Sequence, residues 1–245
     1  MYRPPKNAGN CAGLLLNREV FLLDGMQYQL NASLIVLTAL MSGAFRNPEA
    51  GDHPVASDPR ELEAGAIAEQ RSWREFPYYE ARFGERGRRF GASDTGWLLT
   101  LCDRERADAI RQAQWLGAVL SSRGMPQLLL ENHLVFLRDA LPKDVERYDV
   151  LVACSRRLAR DRRSVMSQQE FDALAAGFTP SAIPRFGEIL VSAAIDEALG
   201  IEHAVDSIEV WACDKSRFDG KWIAAVRTTI AAARAVTSRY RSRSS

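Results

Sequence analysis

The chain has 245 residues, 47% of them hydrophobic and 26% charged, and its formal net charge at pH 7 is +1. This composition is that of a soluble globular protein, long enough to bury a core without disulfides or metals. A net charge so close to zero creates no overall field that attracts nucleic acid, which excludes the strongly basic nucleic-acid-binding proteins.

The cysteines and the apolar segments indicate the compartment. No metal-ligand spacing is found among the four cysteines, Cys11, Cys102, Cys154 and Cys213, so we expect buried thiols in a reducing compartment. The stretch from Met26 to Phe45 carries no charge, but polar residues interrupt it and no short positive start precedes it. The sequence therefore predicts a cytoplasmic protein, bacterial in character, without a membrane span.

The first 50 residues differ in character from the rest. Asp24-Gly25 lies between two short apolar runs and predicts a hairpin turn, and a short helix from Ala32 to Phe45 follows. Residues 1–50 are interpreted as an N-terminal extension, irregular or hairpin-containing, that need not belong to the fold. Residues 51–57, within a stretch rich in Pro, Gly, Asp and Asn, are interpreted as a linker.

From residue 58 the helix signals are clear. Asp58, followed by Pro59 and Glu61, predicts a capped helix start, and the helix should run to about Glu75. The Phe76-Pro77 pair interrupts it, and residues 77–83 predict another short helix. The glycines that follow are expected to break the helical pattern around a basic turn; they are Gly84, Gly87 and Gly91.

The next helices also carry their own boundaries. Ser93 is predicted to cap a helix, and Asp103 to begin another that ends near Ser122. Gly124 fits the position just after a helix end, and Pro126 opens a helix with a leucine stripe. That stripe is formed by Leu130, Leu134, Leu137 and Leu141.

The remaining chain is also predicted to be helical. The expected helices span residues 143–164, a capped helix from Ser167 to about Gly177, and residues 186–199, 202–213 and 220–240. The Arg/Ser-rich tail 239–245 is expected to be unstructured. Since no strand is indicated after residue 50, the prediction is an all-α fold: an antiparallel helical bundle or a globin-like helical pack, with the helical domain at 58–238.

His133 is the histidine with the most informative surroundings. It lies on a wide apolar helix face with Glu131 nearby. One interpretation is an axial ligand to the iron of haem or of another tetrapyrrole. The other is a partly buried histidine at the edge of the core, with one satisfied hydrogen bond. No HExxH or ExxH spacing accompanies it, which argues against a zinc hydrolase or a di-iron bundle.

A second candidate site begins at Cys102. The residues that follow it are Arg104, Glu105, Ile110, Arg111 and Trp115. This run resembles the bilin-attachment helix of phycobiliproteins. The resemblance implies a thioether from Cys102 to a bilin, with Arg104 on a propionate and Glu105 on the pyrrole nitrogens, and with Arg111 and Trp115 further along the helix. The alternative is ordinary helix packing, with Asp103 as a helix cap.

Two arginine clusters complete the candidates. Arg82, Arg86, Arg88 and Arg89 alternate with aromatic residues, a pattern that can bind phosphate or single-stranded nucleic acid. Neighbouring glutamates favour a salt-bridged surface instead. The second cluster, which is interpreted as a polar face that meets an acidic partner, contains Arg156, Arg157, Arg160, Arg162 and Arg163.

Three functions are consistent with these patterns. The first is a non-enzymatic regulatory or adaptor protein that acts on a protein partner through its surface, because no complete catalytic motif is found and no metal site is predicted. The second is a tetrapyrrole-binding sensor, for haem or a bilin, anchored by His133 or Cys102. Nucleic-acid or phosphate binding through Arg82–Arg89 is the third and ranks below both.

Overall fold

The computed structural model describes residue 43 and residues 45–244, with side chains up to residue 240. The predicted hairpin around Asp24-Gly25 lies outside the described residues, as does nearly all of the helix predicted from Ala32. The described part is 75% helical and has nine α-helices and no strand. The all-α prediction is therefore confirmed.

The helices follow one another through short connections. In chain order they are α1 (Pro59–Glu75), α2 (Tyr78–Thr100), α3 (Arg106–Ser122), α4 (Gln127–Ala140), α5 (Asp149–Val165), α6 (Gln168–Ala176), α7 (Phe186–Ala198), α8 (Asp206–Ala212) and α9 (Gly220–Ser244). Short 3₁₀ helices lie at Pro48–Ala50, Leu101–Asp103 and Glu146–Tyr148. None of the helices in this part of the chain is both long and apolar enough to cross a membrane.

Local signals determine several helix ends. The Asp58 side chain accepts a hydrogen bond from the Arg60 amide at the start of α1. Ser167 and Glu170 form the complete reciprocal capping box that the sequence predicts for α6. Each cap satisfies amide groups that have no partner inside the helix, so these starts can be recognised without knowledge of the tertiary structure.

The predicted break is confirmed at Gly84, where α2 is kinked and the backbone leaves helical geometry with φ of 50°. It is wrong at Gly87 and Gly91, through which the helix continues. A Cβ atom on Gly91 would lie 2.6 Å from the Glu69 carboxylate. Glycine thus lets α1 and α2 approach closely, and this packing outweighs the weak helix propensity of glycine. Ser93, predicted as a cap, is a buried residue inside α2.

Four other predicted boundaries shift. Helix α3 is capped by Glu105 rather than Asp103. A 3₁₀ turn precedes α5, which begins only at Asp149, and α8 begins at Asp206 rather than residue 202. Helix α9 continues to Ser244, through the tail that was expected to be unstructured. Irregular geometry at helix ends, which sequence patterns describe poorly, accounts for the first three shifts.

Residues 45–57, predicted as the end of an extension and a linker, pack on the helices. We call these residues the N-terminal strap. Phe45 is 4% exposed and contacts the positions of Gly65 on α1 and Gly96 on α2. The Ala56 amide donates to the Gly96 carbonyl over 3.0 Å. The packed structure therefore begins before the predicted boundary at residue 58.

One continuous core fills the space between the helices. Helix α4 packs against both α1 and α5, and α7 packs against α6 and α9. The apolar face of α4 includes Leu130, Leu134 and Leu137, all of them buried, so the predicted leucine stripe is a core stripe. This arrangement places His133, on the same helix, between α1 and α2.

Candidate functional site

His133 links three helices through its two ring nitrogens. Ser72 of α1 lies 2.9 Å from Nδ1, and Thr95 of α2 lies 2.9 Å from Nε2. Thr95 uses its only hydroxyl proton to donate to the Gly91 carbonyl, so its oxygen accepts from Nε2–H of His133. Nδ1 is then the acceptor of the Ser72 hydroxyl proton.

This geometry leaves no lone pair of His133 available. A metal ligand needs an unprotonated ring nitrogen that is not already engaged; here Nε2 carries the proton and Nδ1 accepts one. Burial lowers the pKa of His133 to about 4, because the charged ring would lose its hydration. His133 is thus a neutral residue that joins α1, α2 and α4, and iron ligation would require breaking one of its two hydrogen bonds.

The residues that resemble a bilin-attachment helix lie around the start of α3. Cys102 is buried in the 3₁₀ turn before it, and burial raises the pKa of the thiol to about 12. Arg104 and Arg111 both pair with Asp108. The Glu105 carboxylate caps the helix by accepting from two backbone amides. The structure therefore engages these polar groups with one another and with the helix end.

Trp115 differs from the other members of that run. Its side chain is 59% exposed and meets Trp97 of α2 edge to face, with ring centroids 6.1 Å apart. The two rings form an aromatic pair on the surface between α2 and α3. An exposed tryptophan is uncommon, and such residues often contribute strongly to binding when a partner covers them.

The Arg82–Arg89 segment is helical except at the kink at Gly84, and its charges are engaged. Arg82 donates to the Tyr78 hydroxyl and to the backbone carbonyls of Gly124 and Ser207, so it holds three parts of the chain together. Arg88 pairs with Glu80 and lies over the Trp73 ring. The two remaining arginines, Arg86 and Arg89, both pair with Glu49 of the N-terminal strap.

The arginines of α5 divide into two groups. Arg162 is buried and makes two hydrogen bonds to Glu131 of α4, and Arg157 pairs with Asp161. The other three are exposed, and no described acidic residue forms an ion pair with any of them. We call these three, Arg156, Arg160 and Arg163, the arginine face.

The arginine face points away from the core. Its residues are four and three positions apart and therefore lie on one side of the helix. The Nε of Arg163 donates to the Ala159 carbonyl, which directs the rest of its guanidinium outward. Together with Ser164, the three side chains line an open depression of about 580 Å³. The structure thus separates the two arginines that are paired within the chain, Arg157 and Arg162, from the outward residues of the arginine face.

A second depression, of about 410 Å³, lies near the start of α1. Asp58, Glu61 and Asp103 line it, and Arg147 lies among them. Arg147 bridges Glu61 and Asp103, so the acidic groups have an internal cation. Within the part of the chain that the structure describes, no three His, Cys, Asp or Glu side chains are grouped as a metal site would need.

Sequence reasoning missed three carboxyl groups with raised pKa values, of which Asp196 is buried and Glu69 and Asp94 are half-buried. Asp196 of α7 accepts from the Ser121 hydroxyl and the Gln127 amide, and burial raises the pKa of Asp196 to about 7. Burial also raises the pKa of Glu69 to about 8 and that of Asp94 to about 6. Each lies on a helix face whose neighbours come from distant parts of the chain, so local patterns could not identify them.

Comparisons with known proteins give no family. No protein-family model, no curated protein and no solved structure matches this chain.

Proposed function

We propose that this chain is a non-enzymatic helical interaction protein, of the regulatory or adaptor type, that binds an acidic protein segment through the arginine face of α5. The observation that carries this proposal is the set of three exposed arginines to which no described residue offers an acidic partner. Their neighbours Arg157 and Arg162 are both paired. Three cations side by side repel one another, so an external anion that neutralises them is stabilising.

The spacing of the arginine face suits a row of carboxylates. From Arg156 to Arg163 the helix advances about 10 Å, at 1.5 Å per residue. Glutamates spaced one helical turn apart on a partner would meet the three guanidinium groups in register. A guanidinium can hold a carboxylate through two parallel hydrogen bonds, which a lysine ammonium cannot do.

An acidic protein segment fits this surface better than nucleic acid. The depression is lined by three arginines and a serine, with no aromatic ring on which a base could stack. The face covers two helical turns only, and the net charge of the chain is +1, so the long-range attraction that gathers nucleic acid is weak. Binding of nucleic acid instead would be detected by a titration with labelled single-stranded DNA.

The cytoplasm is the proposed location of this interaction. Cys102, Cys154 and Cys213 are all free thiols. Free cysteines in a protein with no described disulfide are typical of a reducing compartment.

The test is a binding titration followed by fluorescence anisotropy. The probe is fluorescein-labelled poly-L-glutamate, with labelled single-stranded DNA of similar charge as the comparison. The variant Arg156→Ala/Arg160→Ala/Arg163→Ala is compared with Arg60→Ala/Arg86→Ala/Arg89→Ala. Both remove three exposed positive charges, but the control arginines pair with acidic residues.

We expect the arginine-face variant to bind polyglutamate at least tenfold more weakly than the wild type, and the control variant to change the Kd less than threefold. Equal losses in both variants would mean that net charge alone determines binding. Loss in the control variant only would transfer the site to the Arg82–Arg89 segment. Tighter binding of DNA than of polyglutamate would overturn the choice of partner.

A further inference from the structure

Two arginines of α2 hold the side chain of Glu49, which belongs to the N-terminal strap. The Nε atom of Arg86 donates to its Oε2 atom over 3.0 Å, and the Nη2 atom of Arg89 donates to its Oε1 atom over 3.3 Å. Arg86 and Arg89 are three positions apart and are therefore neighbours on one side of the helix. The two guanidinium groups thus converge on the two oxygens of a single carboxylate.

The charges at this contact do not balance. Two positive charges meet one negative charge, and no described acidic residue other than Glu49 forms an ion pair with Arg86 or Arg89. Hydrogen bonds from the two arginines lower the pKa of Glu49, so its carboxylate stays ionised at neutral pH and supplies one full negative charge. One positive charge therefore remains without a partner in this part of the structure.

A ring contact helps to hold Arg86 in position. Its guanidinium carbon lies 5.3 Å from the centroid of the Phe90 ring, over the ring face. A guanidinium can stack on an aromatic face and still donate hydrogen bonds from its edge. The ring contact does not involve Glu49, so it continues to orient Arg86 when the carboxylate leaves.

Glu49 lies on a segment of the strap that can move by itself. Phe45 is buried before it, and after it the Ala56 amide donates to the Gly96 carbonyl over 3.0 Å. Most of the intervening segment 48–52 is exposed. The strap is thus fixed at both ends, and Glu49 can leave the two arginines while these attachments remain.

The contact of Glu49 with the arginines is also weak enough to be exchanged. The exposed fractions of the three side chains lie between 45% and 70%. Water and salt screen ion pairs at such positions, and the ordering of long side chains opposes them. A ligand with more negative charge than one carboxylate can therefore replace Glu49.

We propose that Arg86 and Arg89 form a binding site for a phosphate monoester, which Glu49 occupies as a tethered competitor when the ligand is absent. A phosphate monoester carries a charge of about −1.5 to −2 at pH 7 and three acceptor oxygens, so it neutralises both arginines where Glu49 neutralises one. Guanidinium groups hold phosphate oxygens through paired hydrogen bonds. A free carboxylate carries no more charge than Glu49 and lacks the advantage of the tether, so it does not displace Glu49.

The test is an NMR titration of the arginine Nε–H signals of the full chain with inorganic phosphate at pH 7. We expect the signals of Arg86 and Arg89 to shift together. In Glu49→Gln, which removes the charge of the competitor, half-saturation should need at least fivefold less phosphate than in the wild type. The matched control is Glu80→Gln, which removes the same charge from an exposed glutamate that pairs with Arg88 on the same helix; it should stay within twofold of the wild type.

A second variant tests whether both arginines take part. In Glu49→Gln/Arg89→Ala, half-saturation of the Arg86 signal should need at least fivefold more phosphate than in Glu49→Gln. A titration with a short phosphoserine peptide distinguishes the source of the phosphate. Tighter binding of this peptide than of inorganic phosphate would support a phosphorylated protein as the ligand, and the reverse would support a free phosphate.

Several results would overturn the proposal. Equal effects of Glu49→Gln and Glu80→Gln would mean that net charge alone determines binding. Shifts limited to the arginine face of α5, or no shift of Arg86 and Arg89 in any variant, would mean that no phosphate site exists on α2. Equal binding of the unphosphorylated peptide would mean that the phosphate group is not recognised. The arginine face lies on another helix, so its binding of polyglutamate succeeds or fails independently of these results.

Discussion

Replacement of Thr95 by valine tests whether His133 holds three helices together. Valine has the shape of threonine but lacks the hydroxyl oxygen that accepts the Nε2 proton of His133 over 2.9 Å. The buried ring N–H would then have no acceptor, and the loss costs about 1–3 kcal/mol. Against a total stability of about 5–15 kcal/mol, this is a large fraction.

The assay is equilibrium unfolding in urea at pH 7. Ser72→Ala should cost a similar amount, because it leaves Nδ1 of His133 without its donor. In the Ser72→Ala/Thr95→Val background, the further change His133→Leu should restore stability, since no buried polar group is then left without a partner. Thr228→Val, at an exposed position of α9, is the matched control and should stay within about 0.5 kcal/mol.

Either of two results would refute this reasoning. A Thr95→Val protein as stable as the control variant would mean that the hydroxyl does not serve His133. A triple variant less stable than the Ser72→Ala/Thr95→Val double variant would mean that His133 contributes through something other than these two hydrogen bonds.

Three further predictions concern His133, helix packing and the tetrapyrrole hypothesis. The pKa of His133 is lowered to about 4, so the contribution of the neutral ring to stability should be lost as pH falls from about 6.5 to 4, at up to about 1.4 kcal/mol per pH unit. The measurement is the difference in the free energy of urea unfolding between the wild type and His133→Gln at several pH values. A difference that does not change with pH would contradict this prediction. Gly187→Ala should destabilise the protein by about 1–3 kcal/mol in thermal unfolding, since the new Cβ atom would lie 2.2 Å from the Ala175 carbonyl oxygen. Gly220→Ala is the control and should unfold like the wild type, because its Cβ atom would meet no atom within 4 Å. Titration with haemin or biliverdin should give no visible absorption band that depends on His133 or Cys102, and a band abolished by either alanine substitution would restore the sensor hypothesis.

The fold class could be predicted because helix caps are local. Asp58 and Ser167 bind amides within three residues of themselves, so their sequence signals carry the whole interaction. The continuation of α2 through Gly87 and Gly91 could not be predicted in this way. It depends on the approach of α1 to Gly91, and nothing in residues 87–91 alone reports that contact.

The candidate site could likewise be predicted only in part from local sequence signals. The sequence identified His133 as a partly buried residue of interest, but its partners Ser72 and Thr95 are 61 and 38 positions away. The sequence also identified the arginine cluster of α5 as a surface for an acidic partner. Only the structure separates Arg162, which is turned toward Glu131, from the outward residues of the arginine face.

Binding of an acidic partner by the arginine face, as we propose it, is tested most directly by an NMR titration of arginine Nε–H signals with poly-L-glutamate. We expect the signals of Arg156, Arg160 and Arg163 to shift progressively and saturate together, while those of Arg86 and Arg89, already paired with Glu49, stay in place. Shifts confined to Arg86 and Arg89, uniform shifts of all exposed arginines, or no shift at all would contradict it.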